Sequence, residues 1–208
     1  MLKSIQCLLA KNCRKPEGLF GNLISRLMEV GHMPAYLHLI DIMKLEEDES
    51  LFEIGYGPGK GLRRILDTTE CTVSGVDFSE LMFKRASGKN RKYISNGRCE
   101  LFFGDISDGA VFRKKFDRVF FVNVIYFWKD LPAVFGNIEK LVAVNGKICF
   151  YMMELDDLLR AEFARGGEFC RYTSENVAST LRKCGFRNVS VEYIMIRGTK
   201  GCFFTIQM

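Results

Sequence analysis

Between Leu51 and Gly61 the chain reads Leu-Phe-Glu-Ile-Gly-Tyr-Gly-Pro-Gly-Lys-Gly, with glycines at 55, 57, 59 and 61. Glycine at alternate positions weakens any helix or strand interior, so this stretch has to be a tight turn with positive φ or close backbone approach. An apolar stub precedes it and a helical pattern follows. Strand, glycine turn and helix start together make a nucleotide-type site, in which amide N–H groups at the helix N-terminus face the ligand.

The spacing narrows the ligand. A dinucleotide turn is GxGxxG, and its third glycine lets helix and strand pack closely. Counting from Gly57, that third position is Lys60, so the fingerprint fails. Glu53, just before the turn, would also repel a pyrophosphate. It suits a ligand with an ammonium group there, which favours the cationic, phosphate-free nucleoside S-adenosylmethionine (SAM).

Around the turn, strands and helices alternate. Ser50–Ile54 and Cys71–Val76 read as strands, with Lys60 opening a helix between them. Ser79 caps a helix carrying Leu81, Met82 and Ala86. Glu100–Phe103 and the nearly all-apolar Phe116–Asn123 are further strands, the latter central and covered on both faces. A helix over Leu131–Val144, closed by Asn145-Gly146, leads to the strand Lys147–Met153. Short helices follow from Asp156 to Ala164, ended by Gly166-Gly167, and from Thr173. Strands Val189–Ile196 and Cys202–Gln207, joined by a five-residue loop, finish the chain. The expected fold is α/β: a doubly wound, mostly parallel seven-stranded sheet with a C-terminal antiparallel hairpin.

Residues 1–48 read as an N-terminal helical extension of the SAM-binding domain at 49–208, in a single domain overall. Leu19, Phe20, Leu23, Ile24, Leu27 and Met28 form a helical stripe up to Val30, and Pro34 opens a second helix to about Lys44. Glu46–Glu49 mark an exposed exit. Together with 154–172, this extension is expected to close the site.

Four motifs, in order and correctly spaced, resemble class I SAM-dependent methyltransferases across roughly 33 to 208. Glu53, Gly55, Gly57 and Gly59 match the family's acid-x-Gly-x-Gly-x-Gly turn. Asp77 stands where an acid ends the second strand and binds both ribose hydroxyls. Asp105 stands where a second acid meets the adenine amino group, and the final hairpin matches the family's seventh strand. The resemblance further implies cofactor contacts at Tyr56, Phe78, Met82, Gly104, Ile106, Asn123 and Val124. It places Tyr36, Phe127 and Trp128 at the acceptor, with His32 and Tyr126 as catalytic candidates. Gly31-His-Met-Pro34 and Val122–Asp130 are similar to a bacterial and archaeal subgroup of small-molecule or uncharacterised methyltransferases.

The resemblance implies transfer of a sulfonium methyl to a small-molecule acceptor, leaving S-adenosylhomocysteine (SAH). The leaving group is a neutral thioether, so positioning carries the catalysis and no metal is needed. Asn123-Val-Ile-Tyr126 lacks the paired prolines of enzymes acting on exocyclic base amines. Cys149 lies mid-strand and is no base-attacking nucleophile, and Asp130 is a helix cap rather than a magnesium ligand. Two alternatives stay open: a SAM-binding scaffold without turnover, and an RNA or protein methyltransferase.

The net charge of +5 is spread among interleaved acids, which argues against nucleic-acid binding. Eight cysteines without a CxxC pair read as buried thiols in a reducing, cytoplasmic setting. With His32 and His38 the only histidines, a zinc site has little support. No run reaches the ~18 apolar residues of a membrane span. A monomer or homodimer is expected.

Overall fold

The structure, a computed structural model, describes residues 2–16, 18–109, 114–161, 164 and 167–208; those at 2–6, 19, 20, 22, 24 and 26–29 are described by backbone alone. The stripe side chains of Leu19, Phe20, Ile24, Leu27 and Met28, and the stop at Gly166, therefore lie outside the described residues. Leu23, expected in the same stripe, is 56% exposed.

Strands β1 (Ser50–Ile54), β2 (Thr72–Asp77), β3 (Cys99–Phe103), β4 (Phe116–Val122), β5 (Val142–Met153), β6 (Asn188–Ile196) and β7 (Thr199–Gln207) form one sheet in the order β3-β2-β1-β4-β5-β7-β6. The first five run parallel, and β7 is antiparallel to both β5 and β6. The expected architecture is present. Because the chain reverses its direction of travel between β1 and β4, a crevice opens at their carboxyl ends.

Helices α1 (Leu2–Arg14), α2 (Gly18–Met43), α3 (Lys60–Thr68), α4 (Glu80–Lys89), α5 (Arg91–Ser95), α6 (Leu131–Leu141), α7 (Leu155–Arg160) and α8 (Ser174–Lys183) cover the sheet. Successive side chains on a strand face opposite ways, so Phe120 and Phe121 enter separate cores. Under α6 and α8, Phe121, Phe150 and Phe204 stack at centroid spacings of 4.5 Å. On the other face Leu39 and Met43 of α2 pack against Leu51, Phe120 and Phe203. Five of the eight cysteines are buried and none forms a disulfide among the described residues. No helix of the described residues is long and apolar enough to cross a membrane.

Four details differ from the sequence expectation. Pro34 lies inside α2 rather than opening a new helix. It removes one N–H donor, and burial of Ala35, Tyr36, Leu39 and Met43 holds the helix through that loss. Helix α6 stops at Leu141, and Asn145-Gly146 forms a bulge within β5: Phe116 pairs with Val142, but Arg118 pairs with Lys147. The last loop has two residues, Arg197 (φ 50°) and Gly198 (φ 81°), the signature of a type I′ hairpin turn, so β7 begins at Thr199. Finally, Glu49 is not a solvated exit residue. Its carboxylate meets the Arg118 guanidinium at 2.6 Å, and their side chains are only 12% and 7% exposed.

Candidate active site

The glycine turn is built by different demands at each glycine. Gly55 (φ 72°) donates to the Val76 carbonyl at 2.7 Å, and a Cβ there would stand 2.6 Å from Val124. Gly57 (φ 53°) lines the crevice, and a Cβ on it would meet no protein atom within 4 Å, only the space a ligand takes. Gly59 does not line the cleft. It starts α3 at φ 76°, with Ala86 and Asn90 too close for any side chain, so its role is helix packing.

Three acids surround this turn. Asp77, at the end of β2, is 6% exposed; its Oδ2 accepts from Gly57 N and its Oδ1 from Ser79 N, both at 2.8 Å. Burial raises its pKa to about 6 against the lowering effect of those two N–H groups, and Asp105 adds to the rise. Glu53, at 2% exposure, accepts from the Tyr36 hydroxyl at 2.5 Å. That phenol reaches it from α2. Burial pushes Glu53 up to about 8, Tyr36 opposes this, and Asp77 adds repulsion; none of these influences is a cation. Asp105 caps the 3₁₀ turn Ile106–Asp108 through Ser107 N at 2.9 Å.

The structure brings Glu53, Asp77 and the turn to one cleft of about 830 Å³, counting the solvent-open space at its mouth. Glu53, Gly55, Tyr56, Gly57, Asp77, Phe78 and Met82 line its floor, with Asn123, Val124 and Phe127 beside them. A second hollow adjoins it through Gly55, Asp77, Phe78, Val124 and Phe127, and adds Gly104, Asp105, Ile106 and Trp128. Asn123, at φ 56°, turns the chain sharply out of β4.

Three expected residues are placed differently. Tyr126 is 1% exposed; its hydroxyl accepts from Met153 N and lies 3.1 Å from the Met153 carbonyl and 3.3 Å from Asn123 Oδ1. It ties the turn after β4 to β5 and does not line the cleft itself. Trp128 packs edge-on against Phe121 at 4.8 Å and is core, touching only the smaller hollow. Tyr36 does reach the cleft, but its hydroxyl serves Glu53. His32 lines the cleft half-buried, and burial lowers its pKa to about 4.

The roof supplies residues the sequence did not single out, Cys13 and Arg14 at the end of α1, Pro16 beyond it and Ser25 on α2, beside Met33 of the Gly31–Pro34 motif. Helical periodicity signals only that such helices have an apolar face, not which cleft it covers. Gly61 did carry a signal, being the fourth glycine of the run. A Cβ there would lie 1.9 Å from the Tyr36 ring. Arg14 pairs with Glu168 at 3.1 Å, joining α1 to the segment after α7. Phe169 of that segment packs on Phe127 at 5.0 Å.

A buried carboxylate with no cation among the described groups that shift it, a second acid at the end of β2 and a side-chain-free turn fit a cationic amino-acid nucleoside better than a phosphate. A pH prediction follows from the raised acids. The folded protein binds protons at Glu53 and Asp77 that the unfolded chain has released, so stability falls as pH rises from about 4.5 through about 8. An ammonium ligand needs the ionised Glu53, so the thermal shift caused by SAH should grow between pH 6 and pH 8. A flat shift across that range would show that Glu53 does not titrate with binding.

Residues 51–146 match the profile of a family described as a methyltransferase domain. Sterol 24-C-methyltransferase of Debaryomyces hansenii is 24% identical over 115 residues, 55% of this chain and 30% of that enzyme. The chain thus spans about a third of the length of the sterol-type relatives it matches, since the figure is 34% for 24-methylenesterol C-methyltransferase 2 of Oryza sativa. Carboxy-S-adenosyl-L-methionine synthase of Shewanella sediminis is 22% identical over 211 residues, covering 85% of both chains. Among solved structures, phosphoethanolamine N-methyltransferase 2 of Haemonchus contortus, with phosphomonomethylethanolamine and SAH, superposes with TM-score 0.73 at 18% identity over 84% of this chain and 52% of that one. A putative methyltransferase of Haloferax volcanii, in complex with the Trm112 methyltransferase activator, gives 0.74 at 18% identity over 88% and 92%. The methyltransferase-domain profile over 51–146, this sheet order and the superposition on a methyltransferase solved with SAH together support a class I, seven-stranded SAM-dependent methyltransferase.

Proposed function

We propose that the protein binds SAM in the cleft and directs its methyl group to a small, uncharged and partly apolar acceptor. The observation that carries this reading is the convergence of Glu53, Asp77 and Asp105 around one bare-backbone turn at the switch point of the sheet. Glu53 would hold the amine, Asp77 the ribose hydroxyls, and the hollow at Gly104–Ile106 the base, with Phe78 and Met82 as walls. When bound, SAM would supply an electrophilic methyl to which the acceptor's lone pair bonds in line as the carbon–sulfur bond breaks, its electron pair staying on sulfur in the neutral thioether SAH.

The chain's own part is to orient and to exclude water. Phe127, Met33 and the roof after α1 make a mostly apolar acceptor space. Its cations do not favour a phosphorylated acceptor such as that named for the Haemonchus structure, because Arg14 is paired with Glu168 and Lys60 is exposed. His32 is neutral at pH 7 and weakly basic. It suits accepting a hydrogen bond from an N–H or O–H of the acceptor, and does not suit forcing off a proton of high pKa. Acceptors that are already unprotonated and nucleophilic at pH 7, amines of low pKa such as aromatic amines above all, therefore fit best.

The test is SAH formation from SAM across a panel of amines, thiols, phenols and carboxylic acids. Turnover with an apolar amine is the expected result, reduced in His32→Ala by ~10-fold or more. Firm SAH binding with no turnover on any member would favour the scaffold reading, which the inward-turned Tyr126 hydroxyl also supports.

A further inference from the structure

We propose that Tyr36 is a positioning residue for the cofactor, aiming the Glu53 carboxylate at the ligand's primary ammonium group, so that α2 completes the binding site. The inference deepens the SAM reading and rests on it. Tyr36 stands outside the profile-matched residues 51–146, on a helix that precedes the whole sheet. Its phenol nevertheless reaches the acid that introduces the glycine turn, with Oη 2.5 Å from Glu53 Oε2. Both residues line the cleft, at 6% and 2% exposure.

The neighbourhood is shaped around this phenol. Gly61 is the residue on α3 that the Tyr36 ring crosses. A Cβ there would fall 1.9, 2.2 and 2.4 Å from the ring and hydroxyl atoms. On the other side the ring meets Phe120 edge-on, at 6.0 Å and 83°. The ring is thus clamped between helix and sheet, and a clamped donor fixes the rotation of the carboxylate it serves. Oε2 is taken by Tyr36, which leaves Oε1 for a ligand.

Electrostatics gives the hydroxyl a second effect. Burial and Asp77 both disfavour the ionised Glu53, and the Tyr36 hydrogen bond is the influence that opposes them. A phenol that stays protonated, as burial and the facing carboxylate ensure here, is a donor at every working pH. Beside the pair, Tyr56 and Cys99 are also held in their neutral forms, their pKa values raised chiefly by burial, and His32, on the same helix and in the same cleft, has its pKa lowered to about 4 by burial.

Calorimetry with two ligands separates positioning from packing. SAH carries the amino-acid amine; 5′-methylthioadenosine has the same nucleoside and thioether without it. Tyr36→Phe should weaken SAH by ~10-fold and 5′-methylthioadenosine by less than about twofold, as expected for a lost charge-assisted hydrogen bond. The SAH affinity of this variant should also reach its plateau at higher pH, since Glu53 loses the bond that favours its charge. Gly61→Ala, which displaces the ring and its hydroxyl while keeping the donor in the chain, should reproduce the selective loss. Equal weakening of both ligands, or of neither, would make Tyr36 a packing residue and overturn the inference. Failure of the unaltered protein to bind either ligand would instead overturn the nucleoside reading beneath it.

Discussion

Asp77→Ala is expected to weaken SAH binding by ~10-fold or more, with the thermal midpoint of the ligand-free protein nearly unchanged. Both carboxylate oxygens of Asp77 take one backbone N–H each, from Gly57 and Ser79. An oxygen of an ionised carboxylate accepts more than one bond, so capacity remains on each for a ribose hydroxyl. Under the proposed binding mode, removing the group would delete two charge-assisted bonds to the ligand, and it frees the Gly57 loop. It also deletes a buried charge whose raised pKa, about 6, shows that the fold disfavours its ionised form. Binding and stability should therefore separate, and calorimetry beside thermal melting reads both. Unchanged affinity would remove Asp77 from the ligand and with it the argument from three acids around one turn.

The largest loss of stability is expected at the opposite end of the strands. Glu49→Ala leaves the Arg118 guanidinium buried with the Asp117 carbonyl as a partner and without its carboxylate. Breaking one side of a buried ion pair costs about 3–5 kcal/mol, far more than an exposed pair contributes. For a domain of this size that is a fall in thermal midpoint on the order of 10 °C. The double variant Glu49→Leu, Arg118→Met should recover most of it, because the penalty belongs to the orphaned charge. A Glu49→Ala loss under about 1 kcal/mol, read by denaturant titration, would mean that water reaches Arg118.

These two residues also mark how far the chain can be read without coordinates. The place of Asp77 beside the turn was legible because it is set locally: an acid at the end of an apolar run, 20 residues after Gly57. Glu49 was misread as part of a solvated acidic exit, because its partner is 69 positions away and only the β1–β4 pairing brings Arg118 beneath it. Glu53 was legible as an acid needing a partner. That the partner is a phenol on α2 was not, since no local pattern links residues 36 and 53. Tyr126 shows the converse. Its place after β4 matched the acceptor region, but its side chain follows a short 3₁₀ turn inward to Met153.

Sequence alone determined the order of strands and helices, the bare turn at 55–59 and the acids that end β1 and β2. Those follow from residue-level sterics: positive φ at glycine, two-residue alternation, caps and apolar runs. Only the tertiary structure decided which side chains close the cleft. Packing α2 across α3 and β4 sets Tyr36 on Glu53, and pairing β4 with β5 draws Tyr126 away from the wall. Contacts of that kind depend on distances between elements far apart in the chain, which no local spacing encodes.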